Sequence, residues 1–364
     1  MPMLNEVKVR DFCIFILCYG RADVAKKYTW ELLDKMGSKR KRFIICSTDD
    51  KTIDDYYKTF GKENVLLFDK NIEEERLNID LVDCYHNHDD IKKGTVWARN
   101  ACFNLARKAG YRFFMVFDDD VASFCIRNEI ELGKSKNHIL SQKITLSDMK
   151  CFDELSEYYF KILDSAPWLN SVAYSQCGDY IGGVGSSMWR NGFTFKAMNI
   201  FFCDTEKEHR YYGRMNDDVN AYCLNGSRGR ISFTPSGPAL NQLQTQQVKG
   251  GMTEMYRSFG TWMKSIYSVV LCPSFVSIGR IGNTYESSRI HHNISWKCAI
   301  PKIISSRYSK NGYVDYKKDV MNDLVILDEE GKLVIPHGIS FLDDECPVFE
   351  NKDVLLSNNL MELF

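Results

Sequence analysis

The chain has 364 residues, of which 44% are hydrophobic and 26% charged, and its formal net charge is −1. This is the composition of a folded globular protein, and it excludes a disordered, fibrous or low-complexity one. The balanced charge gives no bulk argument for a nucleic-acid binder, although a local basic face is compatible with it. Thirteen cysteines, several inside apolar runs (Cys13, Cys46, Cys102), form no Cys-x-x-Cys pair. They read as reduced structural thiols in a reducing, cytoplasmic compartment. No signal-peptide core or membrane-length apolar run is present, so no membrane insertion is expected.

The first 120 residues alternate between strand and helix. Phe12 to Cys18 is a continuous apolar run, the mark of a strand buried on both faces. Residues 23–36 have helical spacing, with Asp23 as the expected N-cap and Gly37 beyond the end. A second strand is expected at Phe43 to Cys46, a second helix from Asp49 to Phe60, and a third strand at Val65 to Phe68. The polar stretch from Asp69 to Lys93 is long for a structureless connection and has room for a hidden helix. A helix over Thr95 to Lys108 and a strand over Tyr111 to Phe117 complete the alternation. This order predicts an α/β fold, a mostly parallel sheet flanked by helices. Beyond residue 145 an amphipathic helix over Leu146 to Leu163 precedes shorter, less regular pieces.

Three aspartates, Asp118, Asp119 and Asp120, directly follow the last of these strands. Ligands in open parallel sheets bind beyond the carboxyl ends of the strands. A cluster of like charge there is costly unless a cation joins it. Asp120, with Asp118 or Asp119, is therefore expected to hold Mg²⁺ or Mn²⁺ against the diphosphate of a sugar nucleotide. A solvated turn is the plainer reading. One helix upstream, Gly94-Thr95-Val96-Trp97-Ala98-Arg99-Asn100 places Arg99 and Asn100 as donors toward an anion.

With these residues in place, the first 120 residues resemble the nucleotide-binding half of a GT-A glycosyltransferase of the family 2 kind. The opening segment Phe15 to Asp23, which includes Arg21, is similar to the start of those enzymes. The glycine-to-Ala-Arg-Asn segment, the strand and the Asp-x-Asp element recur there in the same order. The resemblance implies a Rossmann-like GT-A sheet with Asp118 and Asp120 as the Asp-x-Asp pair. It also implies that Asp49 lies near the nucleotide base.

A second acidic cluster, Asp217 and Asp218 within Arg214 to Asn220, is expected to open a helix. Either residue suits a general base for an acceptor hydroxyl, or simply an N-cap. The segment Thr245 to Tyr256, with Lys249 and paired glycines, precedes Gly260-Thr261-Trp262 and Pro273-Ser274. This set resembles the phage glycosyltransferases associated with TET-type dioxygenases, which implies hydroxymethylated bases in phage DNA as acceptor and host cytoplasm as location. His291 and His292 are candidate ligands for the metal or diphosphate, an imidazole being a competent partner for Mn²⁺. His86 and His88 lack partner cysteines and give no zinc signature. Of the tryptophans, Trp97, Trp168, Trp189, Trp262 and Trp296 are large enough to stack on a sugar or base, and most belong in the core.

Residues 1–300 are expected to form one GT-A-like unit, 1–125 for the sugar nucleotide and 126–300 for the acceptor, with 301–364 as an extension. The expected reaction moves a sugar from a UDP-sugar to 5-hydroxymethylcytosine in double-stranded DNA, with Arg257, Lys264, Arg280, Arg289 and Lys297 as candidate DNA contacts. A polysaccharide, lipid-linked or protein acceptor is the alternative. A nucleotidyltransferase or a catalytically dead binding module stands further back.

Overall fold

The computed structural model describes residues 11–78, 94–131, 139–145, 150–165, 167–243, 252–260, 262–282, 289–300, 309–310 and 313–314. Strand β1 (Phe12–Leu17) leads to helices α1 (Ala22–Ala25) and α2 (Glu31–Lys35), joined through a π-helical turn at Lys26–Trp30. Next come β2 (Arg42–Ser47), α3 (Ile53–Phe60), β3 (Val65–Phe68), α4 (Lys70–Leu77), α5 (Val96–Lys108) and β4 (Phe113–Asp118). The middle of the chain holds β5 (Val121–Glu131), β6 (Ile139–Thr145), α6 (Phe152–Ser165), β7 (Leu169–Ala173), β8 (Ser175–Gln176), α7 (Ser187–Asn191), β9 (Phe193–Thr194) and β10 (Ile200–Asp204). Then follow α8 (Asp217–Gly226), β11 (Ile231–Pro235), β12 (Ala239–Gln242), α9 (Thr253–Phe259), α10 (Met263–Leu271), β13 (Val276–Ile281), β14 (Arg289–Ile294), α11 (Trp296–Ala299), β15 (Ser309–Lys310) and β16 (Tyr313–Val314).

The large sheet runs β3-β2-β1-β4-β10-β7-β11-β9. Its first four strands are parallel, and only β10 and β9 run against the rest. The α/β architecture expected from the alternation is therefore present. Strand β1 shows why its sequence is apolar throughout. Phe12, Ile14 and Ile16 enter one core with Leu32, Leu33 and Phe160, while Cys13, Phe15 and Leu17 enter another with Trp97, Cys102 and Leu105. Both faces of the strand are thus covered, one by α2 and α6, the other by α5.

Several local expectations are corrected. Helix 23–36 is interrupted by the π turn, and Asp23 lies in its first turn behind an uncapped Arg21. The second helix begins at Ile53, because Asp50 draws residues 50–52 into a turn by accepting from the backbone N–H (2.9 Å) and hydroxyl (2.7 Å) of Thr52. The hidden helix is α4, capped by Asp69 through the N–H of Asn71. The amphipathic helix starts at Phe152, and residues 146–149 lie outside the described residues.

A second, smaller sheet, β6-β5-β12-β8, begins immediately after Asp120. The acidic turn therefore hands the chain from one sheet to the other. Among the described residues no helix is long and apolar enough to cross a membrane.

Candidate functional site

The acidic turn is fixed from three sides. Thr29, fully buried in the π turn, donates its hydroxyl to the carbonyl of Asp118 (2.8 Å) and accepts the N–H of Val121 (3.0 Å). One threonine thus pins both ends of the Asp119–Asp120 turn. Arg21 forks onto the carboxylate of Asp119, with Nε donating to Oδ2 at 2.7 Å and Nη2 to Oδ1. The thiol of Cys18 donates to the same Oδ2 at 3.2 Å. Asp119 is consequently an internal anchor, 1% exposed, while Asp120 meets Arg21 only at 3.9 Å.

Arg99 joins the two acidic clusters. Its guanidinium donates to Asp118 Oδ1 at 3.2 Å and to Asp217 Oδ2 at 2.9 Å, over the rings of Phe201 and Tyr211. Thr95 adds a hydroxyl to Asp217 Oδ1 at 3.0 Å. Gly94 makes this approach possible. Its φ is +116°, and a Cβ there would stand 2.9 Å from the carbonyl of Arg214. Asp218 opens α8 beside Asp217, and its Oδ1 accepts the N–H of Val219. Asn100, by contrast, clamps the loop before α8, donating to the carbonyls of Val96 and Tyr211 and accepting the N–H of Tyr211. Gln242, at the end of β12, donates to Asp118 Oδ2 at 3.1 Å.

The other sequence candidates lie around this centre. Asp49 is half exposed and pairs with Lys70 at 3.0 Å, and Lys70 also lies 4.7 Å above the ring of the exposed Tyr19. Its neighbour Asp50 organises the turn after β1 by accepting the N–H of Gly20 at 2.9 Å and the hydroxyl of Tyr56 at 3.0 Å. His292 Nδ1 sits 3.3 Å from Nδ2 of Asn216, the residue before Asp217, and His291 Nδ1 meets the carbonyl of His292 at 2.7 Å. Lys264 is half buried; Arg257, Arg280, Arg289 and Lys297 are exposed on α9, β13, β14 and α11. Lys249, His86 and His88 lie outside the described residues. Trp262 is 43% exposed, whereas Trp97 and Trp168 are core residues. Sequence reasoning missed Thr29, Asp50 and Gln242. A buried threonine in an apolar helical stripe was the only sequence signal for the first.

Five carboxylates (Asp118, Asp119, Asp120, Asp217, Asp218) gather here against three cations, Arg21, Arg99 and Lys264. Fully ionised, they would leave two negative charges over, a deficit that proton uptake by Asp120 or a divalent cation would offset. Asp118 and Asp120 supply hard oxygen donors suited to Mg²⁺ or Mn²⁺. Among the described residues, no three His, Cys, Asp or Glu side chains are arranged to hold a metal ion. A sugar-nucleotide diphosphate would have to complete the coordination.

Burial, then the charges of Asp119 and Asp118, push the carboxyl of Asp120 up to about 7. The native chain thus holds a proton that the unfolded chain releases at a lower pH, so this group's contribution to stability falls as pH rises from about 4 to about 7. Asp120→Asn should therefore stabilise the metal-free protein at pH 7.5 by on the order of 2 kcal/mol. The readout is a higher melting temperature than wild type in EDTA, with the difference shrinking at pH 5. His209 and His292, both held near pKa 4 mainly by burial, act in the opposite sense, which is why the comparison is made between the two proteins. An unchanged or lower melting temperature for the variant would mean that the turn carries no charge strain.

No curated protein matched the sequence. Among solved structures, similarity is found to the mannosyltransferase PcManGT from Pyrobaculum calidifontis in complex with GDP-Man and Mn²⁺. The TM-score is 0.41 at 9% identity, over 72% of this chain and 64% of that one. S. aureus TarS 1-349 in complex with UDP-GlcNAc gives a TM-score of 0.35 at 10% identity, over 71% and 66%. Mannosyl-3-phosphoglycerate synthase from Rubrobacter xylanophilus gives 0.33 at 9%, over 78% and 85%. The chain spans just under two thirds of the length of the first two. A sequence profile for the TET-associated glycosyltransferases matches residues 12–251, the stretch that contains both acidic clusters and the arginine between them, and the chain belongs to that family.

Proposed function

We propose that the chain is a divalent-cation-dependent transferase that moves a sugar from a UDP-sugar to the hydroxymethyl group of 5-hydroxymethylcytosine in DNA. The observation that carries the reading is the convergence of two acidic clusters on Arg99 beyond the end of β4. Asp118 and Asp120 would hold Mn²⁺ or Mg²⁺, which when bound offsets the charge of the departing diphosphate. The base of the donor would sit at the corner formed by Tyr19, Asp49 and Lys70, beyond the ends of β1 and β2. Residues 1–125 would then serve the donor and 126–300 the acceptor.

Asp218 is the favoured base. Asp217 is tied to Arg99 and Thr95, whereas Oδ1 of Asp218 accepts only from the backbone among the described residues. In an inverting transfer Asp218 takes the proton of the acceptor hydroxyl as its oxygen attacks the anomeric carbon. Burial raises its pKa above the usual carboxylate range, making it a stronger base. The acceptor class rests on family membership and on the basic residues of β13 and β14.

The test is incubation of the protein and Mn²⁺ with several UDP-sugars and either hydroxymethylated or plain DNA. The expected result is a nucleoside heavier by one sugar residue, with equimolar UDP, only on hydroxymethylated DNA, and neither product from Asp120→Ala. Sugar 1-phosphate in place of UDP would mark transfer of the nucleotidyl group and make the chain a nucleotidyltransferase. Sugar found only on polysaccharide, lipid or protein would overturn the acceptor.

A further inference from the structure

Strands β13 and β14 form a two-stranded antiparallel ribbon, separate from both sheets and beyond the family match. Its base is fixed in the protein. Val276 is buried in a cluster with Tyr222 and Cys223, both strands pack on α10, and His292 reaches Asn216 at the start of α8. Towards the other end its side chains are exposed. The last two rungs pair Arg280 with Ile290 and Ile281 with Arg289. Directly opposed residues share a face, so each face of the tip carries one arginine and one isoleucine. Both isoleucines are 43% exposed. Neither strand contains an acidic residue.

Helix α10, which carries Lys264, packs against both ribbon strands and against α8. On each face an exposed isoleucine opposite an arginine offers both apolar and cationic contacts. The charge selects a polyanion. The width of two strands fits the major groove of a duplex, about 12 Å across. In that groove apolar side chains can also contact base methyl groups.

We infer that the β13–β14 ribbon docks on the acceptor duplex, with Arg280 and Arg289 on phosphates and Ile281 and Ile290 against the base stack, delivering the target base toward α8. This rests on the reading of DNA as acceptor. A base inside a duplex must leave the stack before chemistry, and apolar side chains held against the stack are suited to help it out.

The test uses the full chain and a hydroxymethylated duplex, with affinity measured across a salt series. For Arg280→Glu/Arg289→Glu, the slope of log affinity against log salt should fall by about 2, with weaker binding at low salt. Arg280→Gln/Arg289→Gln is the milder pair should the first not fold, and the same loss of slope is expected. Ile281→Ser/Ile290→Ser should lower kcat on duplex while leaving the salt slope and transfer to a single-stranded hydroxymethylated oligonucleotide unchanged. In all three the KM for the UDP-sugar should match wild type. Arginine variants that bind duplex with the wild-type affinity and slope would overturn the inference, as would isoleucine variants equally impaired on both strandednesses. Wild-type protein that modifies no hydroxymethylated DNA would instead overturn the acceptor reading itself.

Discussion

Asp218→Asn should lower kcat about a thousandfold, the usual scale for a lost general base, while the affinity for the UDP-sugar stays within a factor of two or so of wild type. The amide keeps the shape of the side chain and its bond to Val219 but cannot take a proton. The acid limb of kcat/KM in wild type should lie above pH 3.8, the ordinary value for the group, because burial favours its protonated form. Activity then rises with pH as the carboxyl ionises. Asp217→Asn is the informative control. It removes the charge facing Arg99 and should show up first in stability. Undiminished turnover in Asp218→Asn would place the base elsewhere, or indicate a retaining transfer that needs none at this position.

Replacing Arg99 with Met should destabilise the metal-free protein by about 3–5 kcal/mol, the range for removing one partner of a buried ion pair. Arg99 is 3% exposed and bridges Asp118 and Asp217. Without it two carboxylates face each other across the junction with no guanidinium between them. That loss is a large fraction of the whole stability of an ordinary domain. The double variant Arg99→Met/Asp217→Asn should lose less than the single one. The single variant should also recover as pH falls, since the carboxyl of Asp217, pushed up to about 6 by burial, takes its proton within reach of mild acid. Denaturant unfolding in EDTA at pH 7.5 and pH 5 measures both. A loss under about 1 kcal/mol, the scale of an exposed pair, would show that the bridge does little.

The strands of the first half were legible because burial on both faces leaves continuous apolar runs, as in Phe12 to Leu17. The acidic turn was legible because charge at the end of such a run stands out. Strand direction was not. Ile200 to Cys203 reads the same whichever way it runs, and β10 enters the middle of the sheet reversed. Nor were the partners of the aspartates. Arg21 lies 98 residues from Asp119, and Gln242 lies 124 from Asp118, so only the folded chain reveals which charges meet. Asp49 drew attention by its place after β2, yet the carboxylate that shapes the first turn belongs to Asp50, whose Asp-x-Thr pattern was the available sign. The π turn escaped because five residues are too few to separate one helical period from another.

That turn has a consequence for how the enzyme can change. An ordinary α-helix advances about 100° per residue. Deleting a single residue between Lys26 and Trp30 would restore regular winding and rotate everything downstream by about that angle. Thr29 would swing away from the ends of the acidic turn while Arg21, upstream, kept its hold on Asp119. The wide turn sets the phase between the two, so length here is constrained as strictly as residue type, and evolution in this segment should tolerate substitutions far more readily than gaps.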